Sequence, residues 1–61
     1  MTTARINKAI KHLGLQIIKG NGYAYFLDFD GNQVGESVMV CYLKSLPLDR
    51  WIQQAESARN A

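Results

Sequence analysis

The segment KGNGYAYFLDFDGN, residues 19–32, places a run of apolar side chains between two turn signals. The pair Asn21-Gly22 before the run is the strongest short-range signal for a β-hairpin. The triplet Asp30-Gly31-Asn32 after the run is typical of a tight turn. Residues 23–29 are therefore predicted to form a strand with an antiparallel neighbour on each side.

The two neighbouring strands follow from the positions of these turns. Residues 15–19 are predicted to form the preceding strand, and residues 33–43 the following strand. Gly35 is expected to be a bulge or bend in the third strand, because an isolated glycine in a strand pattern favours one. The three strands then form an antiparallel meander.

Residues 4–13 are predicted to form an amphipathic helix before the sheet. Thr2 or Thr3 can cap its first turn, and Gly14 is the expected stop just after its end. Apolar residues recur at the spacing that forms one face of a helix. These residues are Ile6, Ala9, Ile10 and Leu13.

A second helix is predicted to begin at or near Pro47, since a missing N–H does no harm in the first turn. Trp51 is expected to anchor this helix in the core, and residues 57–61 are expected to fray. The apolar face consists of Leu48, Trp51, Ile52 and Ala55. The predicted fold class is α+β, in the order α-β-β-β-α, with a three-stranded antiparallel meander packed against two helices in a single domain, residues 1–61.

The size and composition indicate a small globular protein in the cytoplasm. The chain has 61 residues, of which 48% are hydrophobic, and this size lies near the lower limit for unaided folding. Its first residues lack the apolar core of a secretory signal, and no segment is apolar enough for a membrane span. The single cysteine, Cys41, excludes an internal disulfide and is expected to lie buried and inert in the third strand.

The charges are unevenly distributed along the chain. Residues 1–20 contain four basic residues and no acidic one, whereas residues 21–40 contain three acidic residues and no basic one. The basic residues are candidates for nucleic-acid contact, although a solvated surface is the simpler interpretation. They are Arg5, Lys8, Lys11 and Lys19.

Catalytic, cofactor and metal sites are not predicted. Residues 28–32 resemble part of a calcium loop, but they lie between strands and too few ligands follow at the required spacing. His12 and Cys41 are the only histidine and cysteine, which is too few for a zinc site and lacks the third group of a nucleophile–base pair. We therefore expect no enzyme activity and no cofactor.

The second predicted strand is apolar on both of its faces. Side chains alternate across a strand, so Ala24 and Phe26 share one face and the odd-numbered residues from 23 to 29 share the other. So short a chain can cover one face, and the other face favours a partner, either a second copy of the chain or another macromolecule. The candidate interface residues are Tyr23, Tyr25, Phe26 and Tyr42.

Four segments resemble small proteins of uncharacterised function from bacterial prophages and mobile elements. They are Leu13-Gly14-Leu15 and residues 20–26, 36–40 and 43–51. Similar chains often have a serine cap where this chain has Pro47. The resemblance implies a protein that acts by binding, either inhibiting a host or defence complex or regulating a promoter.

The expected function is a non-enzymatic protein-binding module that forms a homodimer and acts on a macromolecular partner. It would modulate a host or defence complex by occlusion, through an apolar sheet face or an open strand edge. The alternative is a small DNA-binding regulator that uses the basic first helix or the sheet.

Overall fold

The structure, a computed structural model, describes residues 2–60. Two helices flank three strands in the chain, and the strands form one antiparallel sheet in the order β1-β2-β3. The elements are α1 (Thr3–Ile10), β1 (Leu15–Lys19), β2 (Ala24–Asp28), β3 (Gln33–Val38) and α2 (Leu48–Asn60), with short 3₁₀ turns at Lys11–Leu13 and Leu43–Ser45. The predicted α+β meander is confirmed.

Helix α1 has the predicted cap and stop. The Thr2 side-chain oxygen accepts a hydrogen bond of 3.2 Å from the backbone N–H of Arg5. This bond satisfies one of the N–H groups that a helix leaves unpaired in its first turn. The α-helix ends at Ile10, earlier than predicted, and a 3₁₀ turn continues to Gly14, which has a φ of 72°.

The Asn21-Gly22 hairpin sets the register between β1 and β2. The backbone N–H of Gly20 donates to the carbonyl of Tyr23 at 2.8 Å and closes a two-residue loop. From this point Ile18 lies opposite Tyr25 and Ile17 lies opposite Phe26. Because directly opposed residues share a face, this register decides which side chains reach the core.

The predicted bulge at Gly35 is confirmed. Phe26 pairs with Val34 while Ala24 pairs with Val38, so residues 35–37 lie opposite a single residue of β2. Gly35 has a φ of 75°, and a Cβ atom at this position would lie 2.7 Å from the Cβ of Ala58. The bulge therefore brings the backbone of β3 against helix α2.

Strand β3 ends at Val38, so the prediction that it extends to residue 43 was wrong. Val38 pairs with Ala24, the first residue of β2. Tyr23, the residue before Ala24, belongs to the hairpin with β1. Residues 2–60 contain no further strand with which residues 39–43 could pair. Val40 and Leu43 instead pack on the core as part of a connection to α2.

Helix α2 begins immediately after Pro47, close to the predicted position. The carbonyl of Pro47 accepts hydrogen bonds from the backbone N–H groups of Arg50 and Trp51, at 3.1 and 3.2 Å. The prediction that residues 57–61 fray was wrong for residues 57–60, which are helical, and Ala61 lies outside the described residues. The Ala58 contact with the bulge helps to hold this last turn in place.

Both helices pack on the same face of the sheet. The Trp51 side chain is fully buried there, as predicted for a core anchor. The core contains Ile6 and Ile10 of α1, Leu15 and Ile17 of β1, Ala24 and Phe26 of β2, and Trp51 and Ala55 of α2. Within residues 2–60, no helix is long and apolar enough to cross a membrane.

Candidate functional site

The sheet presents an uncovered face opposite the helices, which we call the outer face. It consists of Ile18 on β1, Tyr25 and Leu27 on β2, and Tyr23 just before β2. Their neighbours Ile17, Ala24 and Phe26 point into the core, so these four side chains point the other way. Within residues 2–60 neither helix packs on this face, because both contribute to the core on the opposite side.

The outer face is apolar in its centre and amide-bearing at one end. The register places Ile18 beside Tyr25, and it places Leu27 between Gln16 on β1 and Gln33 on β3. The Ile18–Tyr25 pair and the row of Gln16, Leu27 and Gln33 carry no charge, whereas the bulge opposite Tyr25 on β3 contains Glu36. The centre of this surface can be buried without leaving a charge unpaired.

The two tyrosines of the outer face are ordered against each other. Their ring centroids are 5.9 Å apart with an interplanar angle of 17°, which is a stacked arrangement. The Tyr23 ring also lies against Gly20, where a Cβ atom would clash with the far end of the ring. A packed tyrosine pair loses little conformational freedom on binding, so it suits an interface.

The two edges of the sheet are less available than its outer face. At the β1 edge, the side-chain oxygen of Asn7 accepts a hydrogen bond of 2.7 Å from the backbone N–H of Ile17. At the β3 edge, the Gln33 amide donates to the carbonyl of Gly35 at 3.3 Å, within the bulge. Bulges and occupied edge groups obstruct pairing with another strand, so the geometry favours binding through the face.

The structure separates the four candidate interface residues. Tyr23 and Tyr25 lie on the outer face, but Phe26 is 1% exposed in the core, so including it among the interface residues was wrong. Phe26 and Tyr25 are neighbours in β2, so their side chains lie on opposite faces, and that of Phe26 points towards the helices. Tyr42 is 64% exposed but lies outside the three strands, and its ring centroid is 5.5 Å from the Lys44 ammonium nitrogen.

Cys41 is exposed, which corrects the prediction of a buried thiol. That prediction depended on a third strand that continued past Val38. Because β3 ends there, Cys41 lies in the connection to α2 and lines a shallow cleft with Lys19 and Tyr42.

The four basic candidates do not form one cluster. Arg5, Lys8 and Lys11 are exposed on α1 and the turn after it. Lys19 lies at the far end of β1, about 13 Å from its start at roughly 3.3 Å per residue. Its ammonium group donates to the carbonyl of Gly20. Contact between a phosphate backbone and α1 therefore does not by itself bring the phosphates to Lys19.

The acidic turn after β2 is held together by one carboxylate. The Asp28 side chain accepts hydrogen bonds of 2.9 Å from the backbone N–H groups of Asn32 and Asp30. The backbone donor of Asn32, followed by that of Asp30, holds the pKa of Asp28 below its ordinary value against the opposing effect of desolvation. This carboxylate therefore stabilises the turn. Among the described residues no group of three potential metal ligands is found.

Sequence reasoning missed Ile18 as a member of the outer face. The signal was present in the hairpin: a two-residue loop at Asn21-Gly22 places Ile18 opposite Tyr25 by simple counting. Comparisons with protein-family models, curated proteins and solved structures find no match.

Proposed function

We propose that this chain is a non-enzymatic protein-binding module and that its outer face binds a second copy of the chain. The observation that carries the proposal is a sheet face with an apolar, uncharged centre that neither helix covers, in a domain that has few core residues. A small domain gains stability when such a face is buried, and dimerisation is one of the usual ways to bury it. The proposed product is a two-sheet sandwich with the helices on the outside.

The chemistry of the face supports a second copy as its occupant. In a two-fold dimer each face meets an identical face, so like charges on it would repel each other. The Leu27 row and the Ile18–Tyr25 pair carry no charge and avoid this cost, and Glu36, opposite Tyr25, lies in the bulge of β3 at the edge of the sheet. Gln16 and Gln33 have both donor and acceptor groups and can hydrogen-bond to their own kind at the rim.

DNA binding is less well supported as the primary function. Strand readers of duplex DNA need base-reading and phosphate-binding groups around the sheet, and this face has apolar side chains at its centre. Lys19 is separated from Lys8 and Lys11, which divides the basic residues of the first 20 positions between two places. We expect no appreciable affinity for duplex DNA at physiological salt.

The cellular setting is part of the same proposal. We infer a cytoplasmic protein, because its one cysteine cannot form an internal disulfide. A mobile-element origin and the occlusion of a host or defence complex are hypotheses that follow from the sequence resemblance. A dimer formed through the outer face would present α1 and α2 to such a complex.

Contacts between copies test the proposal at the level of single residues. In an equal mixture of isotope-labelled and unlabelled chains, we expect intermolecular NOEs from the methyl groups of Ile18 and Leu27 to the ring of Tyr25. Leu27→Lys should abolish them and give a folded monomer by light scattering. Gln53→Lys, a control on the exposed side of α2, should leave the dimer intact.

A Leu27→Lys protein that remains dimeric would contradict the proposed interface. A wild-type monomer with no intermolecular NOEs at high concentration would contradict self-association itself.

A further inference from the structure

A second surface feature lies where α1, the start of β1 and the turn after β2 meet. It is a cleft of about 380 Å³. Its lining combines cationic, amide and apolar groups from three parts of the chain. The residues are Asn7, Lys8, Lys11, Leu15, Gln16 and Phe29. The volume falls within the usual range for small-molecule sites, although the cleft is shallow and widely open to solvent.

One wall of the cleft is positively charged. Lys8 and Lys11 are three residues apart, so their side chains project from the same side of α1 and its following turn. Both residues are exposed, and residues 1–20 contain no acidic side chain. This wall favours an anionic group.

Asn7 adds a hydrogen-bond donor beside the two lysines. Its side-chain oxygen is occupied by the backbone N–H of Ile17 at 2.7 Å. The amide orientation is thereby fixed, and the Nδ2 group remains as the free end of the side chain. A positioned donor in a cleft that two lysines also line matches the oxygen atoms of a phosphate.

Phe29 adds an apolar aromatic ring to the lining of the cleft. It is 64% exposed and follows the end of β2, so it lies in the turn instead of among the strand residues of the outer face. Tyr42 is equally exposed, but the Lys44 ammonium already lies over its ring at 5.5 Å. Phe29 therefore offers a ring for stacking in a place where two cations are close.

We propose that this cleft binds a nucleotide unit, with the base stacked on Phe29 and the phosphate bound by Lys8, Lys11 and the Asn7 amide. Aromatic side chains stack on any base, and cations beside them hold the backbone phosphate. The unit is either a free mononucleotide or part of a single strand. Bases in a duplex are stacked on each other and do not reach such a ring.

Two acidic residues flank Phe29, and Asp30 distinguishes these two sources, since the Asp28 carboxylate is hydrogen-bonded within the turn. Asp30 is exposed in the same turn, and its carboxylate would repel the phosphates of a strand that continued past the ring. A free mononucleotide carries its charge at one end only, and that end meets the lysines. We therefore expect a mononucleotide to bind at least as tightly per site as a single strand.

The test is an NMR titration of the full chain with adenosine monophosphate at constant ionic strength. We expect saturable shifts of the Asn7, Lys8 and Phe29 amide signals. Adenosine alone and inorganic phosphate alone should each bind about tenfold more weakly, since each supplies one half of the contacts. Equal affinity for inorganic phosphate would show an adventitious ion only and would overturn the proposal.

Matched variants locate the site. Phe29→Ala should weaken the binding of adenosine monophosphate by about tenfold. Tyr42→Ala, at an equally exposed aromatic residue, should leave the affinity unchanged. Replacing Lys8 and Lys11 by glutamine should weaken the binding of adenosine monophosphate to a similar degree, and Lys44→Gln should have no effect on it. If the Tyr42 and Lys44 variants lose binding instead, or if adenosine monophosphate gives no saturable shifts, the proposal is wrong.

A single-stranded oligo-deoxyadenylate completes the experiment. Binding no tighter per site than the mononucleotide, with the same loss in Phe29→Ala, identifies the free nucleotide as the ligand. Tighter binding with that same loss identifies the strand as its source and still supports the site. Binding of the strand that is unaffected by Phe29→Ala would contradict the assigned cleft.

Discussion

The indole N–H of Trp51 donates a hydrogen bond of 2.8 Å to the backbone carbonyl of Leu43. This bond joins the buried anchor of α2 to the connection that leads into it. Val40, Leu43 and Leu46 in this connection pack against the core, although they belong to no strand. The bond therefore explains how a segment without sheet pairing keeps a defined path between β3 and α2.

Replacing Trp51 tests the contribution of this anchor. Trp51→Ala should lower the free energy of unfolding by about 3–5 kcal/mol, because it leaves a large cavity in a small core. Trp51→Phe keeps most of the apolar contact but leaves the Leu43 carbonyl with only the longer bond from the Leu46 backbone N–H, at 3.4 Å. The lost hydrogen bond and the smaller ring should together cost about 1–3 kcal/mol. Urea unfolding measures both changes. Near-native stability of Trp51→Ala would show that the ring is not buried.

Gly35 and Ala58 provide a second test, because the bulge brings them together. Gly35→Ala combines a positive φ with a Cβ atom 2.7 Å from that of Ala58, whereas Gly31→Ala has a φ of 90° and open space around it. We expect Gly31→Ala to cost about 1 kcal/mol or slightly more, and Gly35→Ala to cost clearly more. Ala58→Gly should recover part of the difference in the double variant. Equal losses for the two glycines would exclude a close contact between β3 and α2.

The hydrogen-bonded carboxylate of Asp28 makes the stability of the fold depend on pH. Because its pKa is lowered in the folded protein, its contribution is fully present above the ordinary carboxyl pKa and is lost as the pH falls through the lowered value. The wild-type free energy of unfolding should therefore decrease in acid, and Asp28→Asn should show a smaller decrease. Asp30→Asn, which removes a carboxylate from the same turn but not this acceptor, is the control. Identical acid dependence in wild type and Asp28→Asn would contradict the role of the turn.

The order of the elements could be predicted because local signals and tertiary structure agree. Asn21-Gly22 and Asp30-Gly31-Asn32 mark the turns, and the apolar periodicity of α1 and α2 marks the faces that pack on the sheet. The bulge at Gly35 was also visible, since an isolated glycine is unusual in a strand. These features depend on a few neighbouring residues only.

The errors arose where the outcome depended on distant residues. The apolar run from Val38 to Leu43 looks like strand, but its pairing partner ends at Ala24, and this limit comes from the register. Cys41 was misplaced for the same reason. Phe26 and Tyr25 could be assigned to opposite faces from sequence, but only packing with the helices decides which face becomes the core.

The adjacent pair Tyr25 and Phe26 tests the central claim most directly, because the same substitution probes opposite faces of one strand. Sedimentation velocity and circular dichroism should show a wild-type dimer at micromolar concentration, a folded monomer for Tyr25→Asp and an unfolded chain for Phe26→Asp. A wild-type protein that sediments as a monomer at this concentration, or a Tyr25→Asp protein that remains a dimer, would contradict a dimer formed through the outer face.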